Sequence, residues 1–133
     1  AAEGVVSVEG ATNATGGTMR FVPARPTTLS ANQNNYDAGG AKSKYLFLTA
    51  STAVSITGLN LAQVDGQEVV IVRVGGDDIT LPSESTSSTA ANRLVFSELG
   101  GVILGNDGAT VSLVYDGTAA RWRATSHFSA DPY

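Results

Sequence analysis

The sequence predicts an all-β chain: an antiparallel β-sandwich, jelly-roll-like, with an extended N-terminal arm. Three observations lead there. Thirteen serines, fourteen threonines and fifteen glycines, with only 15% charged residues, fit short strands joined by many turns. Apolar residues recur with a period of two, the spacing that sends alternate side chains to opposite faces of a strand. Gly, Asn and Asp clusters then punctuate the apolar runs where turns are needed.

The clearest unit is Ala109 to Thr125. Val111, Leu113 and Tyr115 alternate with Thr110, Ser112 and Val114. Asp116-Gly117 supplies turn chemistry, because both residues tolerate the positive φ of tight hairpins. The return segment carries the only tryptophan, Trp122, between Arg121 and Arg123. One large ring facing in and two cations facing out describe a half-buried strand with one wet face. This hairpin is expected to close the core, with Leu113, Tyr115 and Trp122 inside it.

Residues 1–27 read as the arm and residues 28–133 as the sandwich. The arm holds one short alternating piece, Val5-Val6-Ser7-Val8, then GATNATGGT, which is too polar and Gly-rich to fold alone. Asn13-Ala14-Thr15 matches a glycosylation sequon, which matters only in a secreted chain. Met19 to Val22 is a candidate strand, and Pro23 and Pro26 hold the next segment at an edge or extended over a surface.

In the body, Gln33 to Gly40 is a turn-rich loop carrying Tyr36. A calcium site there would rest on the single carboxylate of Asp37, too few hard oxygens for that ion. Strands follow at Tyr45–Thr49 and Val54–Thr57, the second ended by Gly58. Tyr45, Phe47 and Thr49 share one face and Leu46 and Leu48 the other, so both faces are mostly apolar and a central position is expected. Leu59 to Val64 is a connection, and Asp65-Gly66 starts a strand over Glu68–Val74. Gly75-Gly76-Asp77-Asp78 reads as a hairpin turn into Ile79-Thr80-Leu81, which Pro82 ends. Ser83 to Ala91 is a polar loop, Leu94–Phe96 and Val102–Leu104 are short strands, and Asn106-Asp107-Gly108 turns into the closing hairpin. The tail, Ser126 to Tyr133, brings His127, Phe128 and Tyr133 either over an open end of the sandwich or onto a neighbouring subunit.

Composition narrows the function. With no cysteine there is no disulfide, thiolate nucleophile or Cys-based metal site. No apolar run approaches the roughly 20 residues that span a bilayer. The first ten residues lack the basic and apolar regions of a signal peptide, which reads as a cytoplasmic product that has lost its initiator Met. The net charge of −4 is uneven. Residues 1–60 hold three acids and four bases, and residues 61–133 hold nine acids and four bases. An acidic body repels nucleic acid, while the front half suits an acidic protein surface.

Catalytic candidates are few. The one His, His127, lies in the tail, and no GxSxG elbow holds a serine for it. Asp77 and Asp78 are adjacent, so their carboxylates diverge, and no third ligand stands at metal spacing. Gly100-Gly101 is followed by neither a helix nor Lys-Ser/Thr, so there is no phosphate loop. The expectation is a non-enzyme without cofactor or metal.

An ordered set of motifs then carries a resemblance. Asn32-Gln33-Asn34-Asn35-Tyr36 is followed by Ser55-Ile56-Thr57-Gly58-Leu59, Asp65-Gly66-Gln67 and Asp78-Ile79-Thr80-Leu81. Ser87-Ser88-Thr89-Ala90-Ala91-Asn92-Arg93, Val114-Tyr115-Asp116-Gly117 and Arg121-Trp122-Arg123 complete the order. The set resembles a domain that recurs in virion structural proteins of tailed bacteriophages, in capsid-associated proteins and tail-fibre segments, and it covers about Thr28 to Thr125. The resemblance implies an antiparallel β-sandwich that works as a trimer. The chain has neither the heptads nor the internal repeats of a fibre stalk, so a capsid decoration (cement) protein is the expectation. Its partners would be the major capsid protein and copies of itself, and its place the outside of the capsid. The arm residues Val5, Val6, Val8, Met19, Arg20, Phe21 and Arg25 are the expected capsid or subunit contacts, because an arm stays ordered only by burial elsewhere. The competing class is a tail-fibre or receptor-binding protein that stacks Tyr36, Tyr45 or Phe128 on a glycan. A cellular adhesin-like sandwich comes third.

Overall fold

The computed structural model describes residues 12–15, 18–97 and 100–133. Val5, Val6 and Val8 lie outside the described residues. The chain is mostly β, with helical geometry confined to single 3₁₀ turns at Ala38–Gly40 and Ala90–Asn92 among the described residues.

A short hairpin comes first, β1 (Thr12–Thr15) antiparallel to β2 (Thr18–Phe21). The Gly-rich piece read as linker thus contributes β1. The strands of the body are β3 (Tyr45–Ala50), β4 (Val54–Ser55), β5 (Glu68–Gly76), β6 (Ile79–Pro82) and β7 (Leu94–Val95). They continue with β8 (Gly101–Leu104), β9 (Thr110–Asp116), β10 (Arg121–Phe128) and β11 (Asp131–Pro132). One sheet has the order β3-β5-β9-β10-β7 and the other β11-β8-β6-β4.

Both sheets are mixed, which corrects the purely antiparallel expectation. β3 runs parallel to β5, β7 to β10 and β4 to β6. A longer parallel pairing adds to these. The segment from Ala24 to Tyr36 lies along the chain from Leu46 to Leu59, bridging at Ala24–Leu46, Leu29–Ala50, Gln33–Ile56 and Tyr36–Leu59. Each bridging residue donates one backbone N–H and accepts another, as at Leu29, whose N–H reaches the Thr49 carbonyl at 2.8 Å while Ser51 N–H returns to Leu29 O at 2.8 Å. Bridges stand on both sides of residues 27 and 28, with a one-residue change of register between them, and the pairing ties the first sheet to the second.

The two sheets bury one cluster between them. The first contributes Leu46, Leu48, Val69, Ile71, Val111, Leu113 and Trp122, and the second Val54, Ile79, Leu81, Val102 and Leu104. Each such side chain removed from water contributes about 1.5–3 kcal/mol before entropy is charged against it. Trp122 is the largest fully buried residue. Its indole N–H donates to Leu59 O at 3.0 Å, and its ring meets Tyr115 edge-on at 5.0 Å between centroids. The closing hairpin is as expected, except that Asp116 accepts from the N–H groups of Thr118 and Ala119 and the left-handed residue is Ala120.

Two further corrections concern β3 and the Gly-Gly corner. β3 is the outermost named strand of its sheet, yet Ala24 and Leu29 pair along its other edge, and its second apolar face is served by the N-terminal segment instead of by another sheet. Gly75-Gly76 does not make a hairpin, because β5 and β6 belong to different sheets. Both glycines have positive φ, 69° and 81°, and turn the chain from one layer into the other. At Gly76 a Cβ would collide with the Ala50 carbonyl oxygen, so only glycine passes so close to β3. Pro82 ends β6, as expected, and is still paired with Gly101 there.

Candidate functional site

Three of the motifs, Asn32–Tyr36, Ser55–Leu59 and Ser87–Arg93, meet in the fold and form a clamp. Asn35, with φ of 51°, aims its side-chain oxygen at the Ser87–Arg93 loop. That oxygen accepts from Thr89 N–H at 2.9 Å, Thr89 Oγ1 at 3.0 Å and Asn92 Nδ2 at 2.8 Å. Ser88 is buried and accepts the Asn35 N–H at 2.9 Å. Its hydroxyl lies 2.7 Å from Thr57 Oγ1, which donates to Asn34 Oδ1 at 2.6 Å. Gln63 donates to Asn92 Oδ1 and to Leu59 O, and Tyr115 OH donates to Ala91 O at 3.0 Å. Every polar group named here is satisfied by another loop of the same chain. Such a network fixes loops; it presents no nucleophile and base aimed at a common point.

His127 is exposed on β10, and among the described residues no group of three or more His, Cys, Asp or Glu could hold a metal ion. No helix among them is long and apolar enough to cross a membrane. Tyr36, a candidate sugar platform, is buried, and burial followed by the charge of Asp37 pushes its hydroxyl above the usual tyrosine range. It therefore offers no face to a glycan. Phe128 is 73% exposed and Tyr45 half-buried.

Of the residues expected to make capsid or subunit contacts, four can be placed. Met19 and Arg20 lie on β2, opposite Ala14 and Asn13, with Arg20 exposed. Phe21 ends β2 with 40% of its surface open and its ring tilted against Tyr45, centroids 6.3 Å apart. Arg25 lays its guanidinium over the Phe47 ring at 4.6 Å from the centroid. Lys44 sits 5.1 Å from the Phe21 ring centre and 5.7 Å from that of Tyr45, and pairs with Glu68 at 3.5 Å. Cations over aromatic faces at these distances attract through the ring quadrupole by about 0.5–1 kcal/mol when exposed.

The structure thus brings Phe21 and Arg25 together on the outer side of β3, and it adds Lys44, Tyr45 and Phe47 to them. The signal in the sequence was the alternation Tyr45-x-Phe47, two rings on one face with Lys44 beside them. One further cation is unusual. Arg73 is buried with only its Nη2 satisfied, by Gly76 O, and its Nε and Nη1 have no partner. Comparison with protein-family models, with curated proteins and with solved structures finds no match to this chain.

Proposed function

We propose that the chain is a non-enzymatic structural protein of a tailed-bacteriophage virion, a decoration (cement) protein that binds the outside of the capsid and stabilises the shell. The fold behind this reading is a jelly-roll-like sandwich with an N-terminal arm, supported by two sheets that bury a single cluster. The observation that supports the function is that Phe21 and Arg25 lie on β3 as an exposed cation–aromatic surface, while the loops are spent on a satisfied clamp. The order of motifs from Asn32 to Arg123 supports the viral assignment. Val5, Val6, Val8, Met19 and Arg20 are the residues assigned to the major capsid protein, with Phe21 and Arg25 shared between shell and subunit contact. The chain also associates with copies of itself, three by the resemblance. A partner that binds only the assembled shell stabilises it by mass action.

The test is saturable binding of the purified chain to empty expanded capsids, with a glycan array run beside it. Decoration predicts on the order of hundreds of bound copies per particle, one site repeated by shell symmetry, and no sugar hits. Sugar binding without capsid binding would favour the tail-fibre class, with Phe128 as its platform. A chain lacking residues 1–22 should stay folded and lose the shell; unchanged affinity would remove the arm from the interface.

A further inference from the structure

Between the Pro26–Ser30 stretch and the Asp37–Gly39 turn lies a cavity of about 280 Å³. Pockets for drug-sized ligands run to roughly 300–1,000 Å³, so this one has room for a single side chain. Its wall is apolar at Pro26, Leu29 and Tyr36, and the last two are buried. The Tyr36 hydroxyl is closed to solvent and has no partner, so Tyr36 serves the cavity as wall and not as a polar contact. The remaining lining is polar. The hydroxyls of Thr27, Thr28 and Ser30 make no hydrogen bond among the described residues. Gln33 turns its side-chain N–H to Ala31 O at 3.0 Å, which leaves its oxygen as the open group.

Asp37 is the one charged group in this lining, and the backbone holds it in place. Its Oδ1 accepts the Gly39 N–H at 3.0 Å, and its carbonyl accepts the Gly40 N–H at 2.9 Å. Ala38, Gly39 and Gly40 have φ of 53°, 68° and 83°, a left-handed run that alanine adopts only when its surroundings impose it. The Oδ2 atom has no partner among the described residues, and Asp37 takes part in none of their ion pairs. Neighbouring cations do not neutralise it: Arg25 lies over Phe47, Lys44 pairs with Glu68, and Lys42 forms no ion pair among the described residues. Burial and then the charge of Asp37 raise the Tyr36 hydroxyl, so that charge is felt at the cavity wall.

We propose that this cavity takes the side chain of a lysine presented by a protein partner, its alkyl stem along Pro26, Leu29 and Tyr36 and its ammonium at Asp37. The charge selects a cation, because the lining holds a carboxylate without a counter-ion and no positive group. The apolar wall selects a long aliphatic stem, the part of a lysine that buries while its head stays polar. Lysine is favoured over arginine by the carboxylate geometry. A guanidinium fork is matched by two free oxygens side by side, and here Oδ1 is already engaged by the Gly39 N–H. An ammonium instead carries three donors that reach separate acceptors, Oδ2 and the Thr or Ser hydroxyls among them. The site is read with small probes on the purified chain, so it stands or falls separately from capsid binding.

Amide NMR of the nitrogen-labelled full chain, titrated with N-acetyl-lysine methylamide, tests it. The expected result is saturable shifts confined to the Thr27–Gly39 region, with a Kd on the order of millimolar that weakens as salt is raised. The norleucine analogue, which has the stem without the charge, should bind at least about fivefold more weakly, and the arginine analogue should also bind more weakly than lysine. Asp37→Asn keeps the oxygen that accepts the Gly39 N–H and removes only the charge, so the variant stays folded, as Trp122 fluorescence will confirm, and should lose about fivefold in lysine affinity. Absence of saturable shifts overturns the proposal. So does a norleucine or arginine probe that binds as well as lysine, or a folded Asp37→Asn variant with unchanged affinity.

Discussion

Asn35 offers the sharpest perturbation, because one oxygen atom holds two loops together. Replacing it with alanine removes the acceptor for three donors, Thr89 N–H, Thr89 Oγ1 and Asn92 Nδ2. The losses are unequal. Thr89 is exposed, so water takes over its donors at little net cost. Asn92 is buried but keeps a second bond from Nδ2 to Thr89 Oγ1 at 3.0 Å. Counting about 1 kcal/mol for the buried bond and a few tenths for each exposed one gives about 1.5 kcal/mol. Alanine also resists the φ of 51°, which asparagine tolerates, adding about 0.5–1 kcal/mol. Asn35→Ala should therefore cost about 2 kcal/mol and lower Tm by roughly 6–10 °C for a chain of this size. Asn35→Asp keeps the acceptor and the backbone preference and should remain within about 0.5 kcal/mol of the parent at neutral pH. Urea unfolding followed by the fluorescence of the single, fully buried Trp122 reads both. An alanine variant as stable as the parent, or an aspartate variant as damaged as the alanine one, would refute the clamp.

The other expectations concern the corner, the buried arginine and alkaline pH. Gly75→Ala meets open space and should cost about 1 kcal/mol for its left-handed backbone. Gly76→Ala meets the Ala50 carbonyl as well and should cost about 3 kcal/mol or more in the same unfolding experiment; equal costs would contradict the close approach. Arg73→Met removes a buried guanidinium with two unpartnered nitrogens and should be neutral or stabilising by about 1–2 kcal/mol, whereas a comparable loss would mean that the cation has an essential partner. The Tyr36 hydroxyl ionises above its ordinary 10.0 in the folded chain, so the stability it contributes is full below that pH and lost as pH rises through the folded value. Tyr36→Phe should therefore gain on the parent most at about pH 11, and a constant difference between pH 7 and pH 11 would contradict the shift.

How much of the fold could be read from the sequence depended on which interactions are local. The hairpin around Trp122 was legible because alternation, turn and return all lie within Ala109 to Thr125. The ladder from Ala24 to Tyr36 was not, because parallel neighbours need no turn between them and leave no local mark. Gly75-Gly76 announced a reversal correctly, but positive φ does not say whether the chain returns to its own sheet or crosses to the other. β3 looked central because both faces are apolar; its outer face is occupied by Phe21 and Arg25, which are distant in sequence. Ser88 lay in a stretch read as a polar loop and is buried, as is Asn92, since only the fold brings Thr57 and Asn35 to meet them. Phe21 and Arg25 stood out in the sequence as arm residues, but the rings they land on did not.

The account rests on the chain being an inert gripping surface for assembled protein. The most direct measurement is the number of purified chains bound per empty expanded capsid at saturation, with the same capsid subunit unassembled as control. The account predicts saturation at a fixed multiple of the shell's symmetry sites and no binding to the free subunit. Equal binding to both, or none to the shell, would contradict it.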